Sequence, residues 1–166
     1  MSWYLTRIAE KRTLWLLLVM TLLMTAAFAA VPSIFGITLI DGLSEPNAVW
    51  KTIEDMSESQ RHTHQWLTAT LDVAFPLVYG SLFAGAALRF FGSAGKWLAV
   101  PALLVIPVDL VEGAVQICLL GLDREGLEAK AVLTQTKVVL FVTAAVLAIA
   151  GVLKSVLTPG KTSAAP

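Results

Sequence analysis

Thr13-Leu14-Trp15-Leu16-Leu17-Leu18-Val19-Met20-Thr21-Leu22-Leu23-Met24-Thr25-Ala26-Ala27-Phe28-Ala29-Ala30-Val31 carries no charge, is entered by Lys11 and Arg12, and is followed by Pro32. Crossing about 30 Å of hydrocarbon at about 1.5 Å per residue takes a helix of roughly 20 predominantly apolar residues. This stretch supplies them. Three more do the same, at about 67–91, 97–120 and 131–153. The short turn Gly92-Ser93-Ala94-Gly95-Lys96 makes the second and third antiparallel neighbours. Asp123-Arg124-Glu125-Gly126 precedes the fourth, Thr158-Pro159-Gly160 stops it, and the tail 158–166 reads as disordered. The expected fold is all-α: one membrane domain, 1–166, built as a polytopic bundle of four transmembrane helices with an outer loop at 32–66.

Composition agrees. The chain is 57% hydrophobic and 14% charged, with a mean hydropathy of +0.76, too apolar for an ordinary soluble domain of this length. Net charge is zero and no basic patch is interleaved with aromatics, so a nucleic-acid partner is not expected. The single Cys118 excludes an intramolecular disulfide and reads as a buried structural thiol. Ala27-Phe28-Ala29 before Ala30 imitates the cleavage site of a secretory signal. The uncharged run continues to Ile40, beyond the usual apolar core of about 7 to 15 residues, so an uncleaved first helix is expected.

Orientation follows from Lys and Arg near the helix ends, because cytoplasmic loops carry the excess. Arg7, Lys11, Arg12, Arg89, Lys96, Lys154 and Lys161 fall on one side; Lys51, Arg61, Arg124 and Lys130 fall on the other, diluted by eight acids. Both termini are therefore expected in the cytoplasm. In the outer loop Ser44-Glu45-Pro46 reads as a helix start, with a short helix to about Ser59. Trp50 and Ile53 share one face of it, which suits either a segment lying in the membrane interface or a cap on the bundle. His62 and His64 lie in the same loop and read as solvated. A zinc site needs three or four ligands, and no metal site is expected.

Ionisable residues at the centre of a membrane helix cost about 2.5–3.5 kcal/mol each on insertion scales, so they are rare unless paired or facing a polar cavity. Four stand out here: Asp72 in the second helix, Asp109 and Glu112 in the third, and Lys137 in the fourth. The topology sets all four between the outer interface and the midplane. Helical spacing gathers Asp109, Glu112, Gly113 and Gln116 on one stripe, aligns Asp72 with Pro76, Tyr79 and Phe83, and puts Thr134 and Lys137 above a face of Ala144, Ala148 and Gly151. Pro107 frees a backbone carbonyl next to Asp109, a further hint of a cavity. Three carboxylates against one ammonium leave a formal charge of −2, which calls for a proton, a cation or a cationic ligand. The alternative is a structural cluster in which Asp72 or Glu112 pairs with Lys137 and only fixes helix register.

Leu71-Asp72-Val73-Ala74-Phe75-Pro76-Leu77-Val78-Tyr79 after a long outer loop, Pro107-Val108-Asp109-Leu110-Val111-Glu112 in the third helix, and Thr136-Lys137 at the start of the fourth resemble a group of small four-helix bacterial integral membrane proteins. The resemblance spans roughly 60–155. It implies the four-helix fold and a bacterial cytoplasmic (inner) membrane, and it supplies no reaction. In that group Asn often follows the glutamate and an aromatic residue follows the lysine; Gly113 and Val138 stand there in this chain.

Three functions fit these residues. The first is a protein that binds a lipid-like or small amphipathic ligand, or serves as an accessory subunit, with Asp72, Asp109, Glu112 and Lys137 as its site and Tyr79, Gln116 and Thr134 beside them. The second is a proton- or cation-coupled transporter subunit, acting as a homo-oligomer or in a larger membrane complex. The third is an intramembrane enzyme that acts on a lipid through paired carboxylates. No nucleophile elbow, P-loop, zincin or dinucleotide motif accompanies them, and the sequence announces no cofactor.

Overall fold

The computed structural model describes residues 2–157, and all the regular structure among them is helical. A short α1 (Ser2–Ile8) leads into α2 (Lys11–Phe35); α3 (Pro46–Glu54) follows a loop; α4 (Glu58–Phe91) turns through a 3₁₀ segment into α5 (Gly95–Leu98); α6 (Val100–Leu120) and α7 (Leu127–Leu157) complete the chain. The helices built on α2, α4, α6 and α7 are long and apolar enough to cross a bilayer. The four-helix architecture read from the sequence is the one the chain forms. The tail expected to be disordered, 158–166, lies outside the described residues.

Three of the four membrane helices, α2, α4 and α7, outrun their apolar stretches, for reasons that are local. α2 passes through Pro32 and ends only at Gly36, whose φ of 61° breaks the helix. α4 begins nine residues before the expected 67, because Ser57 and Gln60 form a reciprocal capping box. At about 1.5 Å per residue its 34 residues extend about 51 Å, well beyond the hydrocarbon. His62 and His64 therefore sit on the first turns of a helix rather than in a loop. α7 likewise starts at Leu127, which makes Lys130 a helical residue.

The short outer helix begins as its sequence suggests, with the Glu45 carboxylate accepting from the Asn47 and Ala48 amides and Pro46 in the first turn. Its apolar face is not laid on lipid. Val49 and Ile53 pack with Ile40, Met56, Leu119 and Leu120, and Trp50 is buried against Arg124, over the ends of α6 and α7, so α3 caps the bundle. Cys118, expected to be buried, is exposed. It shares α6 with Glu112 and Gln116 but turns away from their inward stripe.

α4 is the central post, packing against α2, α6 and α7, whereas α2 leans on α4 and has little contact with α7. Toward the end of the bundle that carries the termini, the helices close on small side chains: Ala84 and Ala87 of α4, Ala102 of α6 and Ala144 of α7, with Ile8 of α1 inserted among them. Lipid tails are as apolar as the helices, so association there rests on close van der Waals packing, which small residues permit. Gly80 marks the tightest part of the α4–α6 seam. A Cβ on it would lie 2.5 Å from Ile106 Cγ1 and 3.0 Å from the Ala102 carbonyl. Gly80→Ala is expected to destabilise the bundle by about 1–3 kcal/mol through overpacking, read as a lowered unfolding midpoint in detergent.

Candidate functional site

The polar site forms where α4, α6 and α7 meet between this apolar seam and the α3 cap. α6 contributes the centre, because Asp109, Glu112 and Gln116 follow each other at three- and four-residue spacing on its inward stripe. All three are buried, Glu112 to 1% exposure. α7 answers with Lys130, Thr134 and Lys137, again one face of one helix. Lys130 Nζ donates to Glu112 Oε1 at 3.0 Å and to Thr134 Oγ at 3.3 Å, and the Thr134 hydroxyl donates to the same Glu112 oxygen at 2.5 Å. Lys137 Nζ lies 3.1 Å from Asp109 Oδ1 and pairs with the other Glu112 oxygen. The Tyr79 hydroxyl of α4 donates to Asp109 Oδ2 at 2.6 Å.

A second polar group continues toward the α3 cap. The Gln116 amide donates to Thr68 Oγ at 3.1 Å and to Asp41 Oδ1 at 3.2 Å. His64 is 1% exposed, and its Nε2 lies 3.5 Å from Asp41 Oδ2 and 3.4 Å from the Gln116 nitrogen. Asp41 also stands near Asp72 on the same cavity wall, and a hydrogen bond between the two carboxyl groups would require a proton on one of them. Burial works to raise the Asp41 carboxyl, but the His64 ring, then Asp72 and the Gln116 amide, outweigh it and hold the group below the usual carboxylate range.

Beside these groups opens a cavity of about 310 Å³. Asp41, Asp72, Asp109, Tyr79 and Lys137 form its polar wall, and Phe28 of α2, Phe75 of α4, and Val138 and Phe141 of α7 its apolar wall. The rings run in sequence across it: Phe28 to Phe75 at 5.2 Å between centroids, Phe75 to Tyr79 at 5.0 Å, and Tyr79 to Phe141 at 5.1 Å. Val138, which stands where the resembling proteins carry an aromatic residue, is part of this wall.

The structure thus brings together Asp109, Glu112, Lys137, Tyr79, Gln116 and Thr134, with Asp72 beside Asp41 on the polar wall of the cavity. Three expectations change. Lys130, counted from sequence among the outer-loop charges, is fully buried and grips Glu112. His64, read as solvated, is enclosed. The balance of three carboxylates to one ammonium becomes four carboxylates, Asp41, Asp72, Asp109 and Glu112, to two ammonium groups. Lys130, Thr134 and Lys137 stand at i, i+4 and i+7, a spacing that the sequence displays once the helix is extended to Leu127. Asp41 and His64 have no comparable signal, because a loop fold brings them together.

No protein family, curated protein or solved structure matches the chain. The site is therefore read from its own geometry.

Glu112 and Lys130 lack bulk water, so removing either alone leaves its partner's charge in a poorer balance. Glu112→Gln and Lys130→Met are each expected to lower stability by about 3–5 kcal/mol, and the double variant to recover most of the loss. Unfolding of the purified variants in detergent measures both. Additive losses in the double variant would mean that the pair is not coupled.

Proposed function

We propose that the chain is a membrane protein that holds a lipid-like or small amphipathic ligand, its head group against Asp72, Asp109 and Lys137 and its tail along Phe28, Phe75 and Phe141. The observation that carries this reading is the cavity itself, ionic on one wall and aromatic on the other, and lined by two helices, α2 and α7, that barely touch. A gap between membrane helices is an entry from the bilayer. Ligand sites of this kind combine a mostly apolar lining with a few convergent polar groups.

The seam of Ala84, Ala87, Ala102 and Ala144 argues against a continuous path for protons or cations, because among the described residues no buried charged side chain lies between the site and the terminal end of the bundle. A carboxylate-based lipid enzyme would use the same groups, yet Asp109 and Glu112 are both held by lysine, which opposes the proton-donating role of a general acid.

We place the protein in a bacterial cytoplasmic membrane with both termini inside. With Lys130 withdrawn into the bundle, the α3 side keeps Lys51, Arg61 and Arg124, against Arg7, Lys11, Arg12, Arg89, Lys96 and Lys154 on the side of the termini. That widens the asymmetry that sets orientation. A cysteine introduced at Ser93 in a Cys118→Ala background is expected to resist a membrane-impermeant thiol reagent in intact cells, and one at Glu125 to react.

For ligand binding, native mass spectrometry of protein extracted in mild detergent is expected to reveal a retained amphiphile, lost when Val138→Trp fills the cavity. An empty wild-type protein that also takes up no added amphiphile would count against the proposal.

A further inference from the structure

The chemistry of the ligand follows from the charges and rings that face the cavity, and the inference rests on reading that cavity as a binding site. Its wall carries three acids, Asp41, Asp72 and Asp109, and one base, Lys137. With every group ionised the wall has a formal charge of −2, and with one proton held between Asp41 and Asp72 it has −1. The base is already engaged by Asp109 and Glu112. Lys130 is turned away to Glu112 and Thr134. Among the described residues no lysine or arginine forms an ion pair with Asp72, which faces another carboxyl instead. His64 sits behind Asp41, outside the cavity wall.

The rings complete the argument. Phe28, Phe75, Tyr79 and Phe141 make an arc from α2 across α4 to α7 around the same space that Asp72 enters. Aromatic faces attract cations, and alkylated ammonium groups are held by this means. A hard metal ion is a poor match, since it takes six or more oxygen ligands, while the Asp109 carboxylate is already held by Tyr79 and Lys137 and Asp41 by Gln116 and His64. An anionic head group would meet a wall of its own sign. A neutral one would leave the net negative charge of the wall without a counter-charge.

We propose that the site takes an organic cation, an amine or quaternary ammonium with a short apolar tail, its charged centre between Asp72 and the aromatic arc and its tail directed through the gap between α2 and α7.

The test uses the full-length protein in a neutral maltoside detergent and three probes of equal tail length: hexyltrimethylammonium, hexanol and hexanoate. The cation is expected to raise the unfolding temperature in a saturable way and the other two far less. In Asp72→Asn the affinity for the cation is expected to fall about 10- to 100-fold, the range for losing one charged contact. Should that variant not fold, Val138→Trp serves in its place, because it occupies the cavity without touching a charge and must also abolish the cation's effect. If hexanol matches the cation, or if the cation's affinity is unchanged in Asp72→Asn, the cation assignment is overturned and an amphiphile site remains. A preference for hexanoate overturns it as well, and points to Lys137. If no probe acts on the wild-type protein, the binding-site reading falls together with the cation.

Discussion

Glu112 offers one carboxylate oxygen to Lys130 and the other to Lys137, two residues seven apart on the same face of α7. Once both contacts are made, α7 cannot rotate or slide against α6 without pulling an ammonium group off a buried carboxylate. In lipid that constraint matters more than in water, because apolar surfaces provide little preference for one helix register over another. Thr134 strengthens it by donating to the same Glu112 oxygen as Lys130. Everything beside this junction inherits its position: Asp109 one turn along α6 meets Lys137, and Tyr79 reaches Asp109 from α4.

The bundle has two halves with different physics. Around Gly80, Ala84 and Ala102 the backbones approach closely, and the half nearer the termini is closed mainly by packing, with the Tyr4–Ser81 hydrogen bond beside it. In the other half the helices are held apart by long side chains, and specificity comes from hydrogen bonds and ion pairs. A cavity can persist in the second half because Lys137 and Tyr79 brace its wall through Asp109, while Phe28 approaches from a helix that leans mainly on α4. α2 is also the least buried of the membrane helices, with Val31 its buried residue. A helix so lightly attached can shift at low cost, which is what a lateral entry for a ligand needs.

Much of this was legible in the sequence. Length and predominantly apolar runs determine the four spans, and three- and four-residue spacing is enough to group Asp109, Glu112 and Gln116, or Thr134 with Lys137, because helix geometry is rigid. The helix ends were less legible. An apolar run reports where lipid is, whereas Ser57 with Gln60, and the polar segment from Leu127, extend helices past it through capping and tertiary contact. Lys130 was hidden by that error alone: assigned to a loop, it counted as a solvated charge. Asp41 and His64 were out of reach for another reason, since their contact depends on how the 36–45 segment folds back over α4. Trp50 and Ile53 illustrate a limit of amphipathic pattern, which specifies a buried face without saying whether lipid or protein covers it.

Position, rather than residue type, separates the charges that set helix register from those assigned to the proposed site. Lys130 has no exposed surface and Glu112 almost none, and neither lines the cavity; their contacts are saturated by each other, Thr134 and Lys137. Such groups set register. Asp72 is different, since it lines the cavity and, among the described residues, forms no ion pair with a lysine or arginine. Lys137 stands between the two sets, 16% exposed at its side chain, joined to Glu112 on one side and to Asp109 at the cavity wall on the other. Charge brought into the cavity near Asp109 therefore acts on the same ammonium that holds α6 to α7. Occupancy of the proposed site and the stability of the helix junction are coupled through that one side chain.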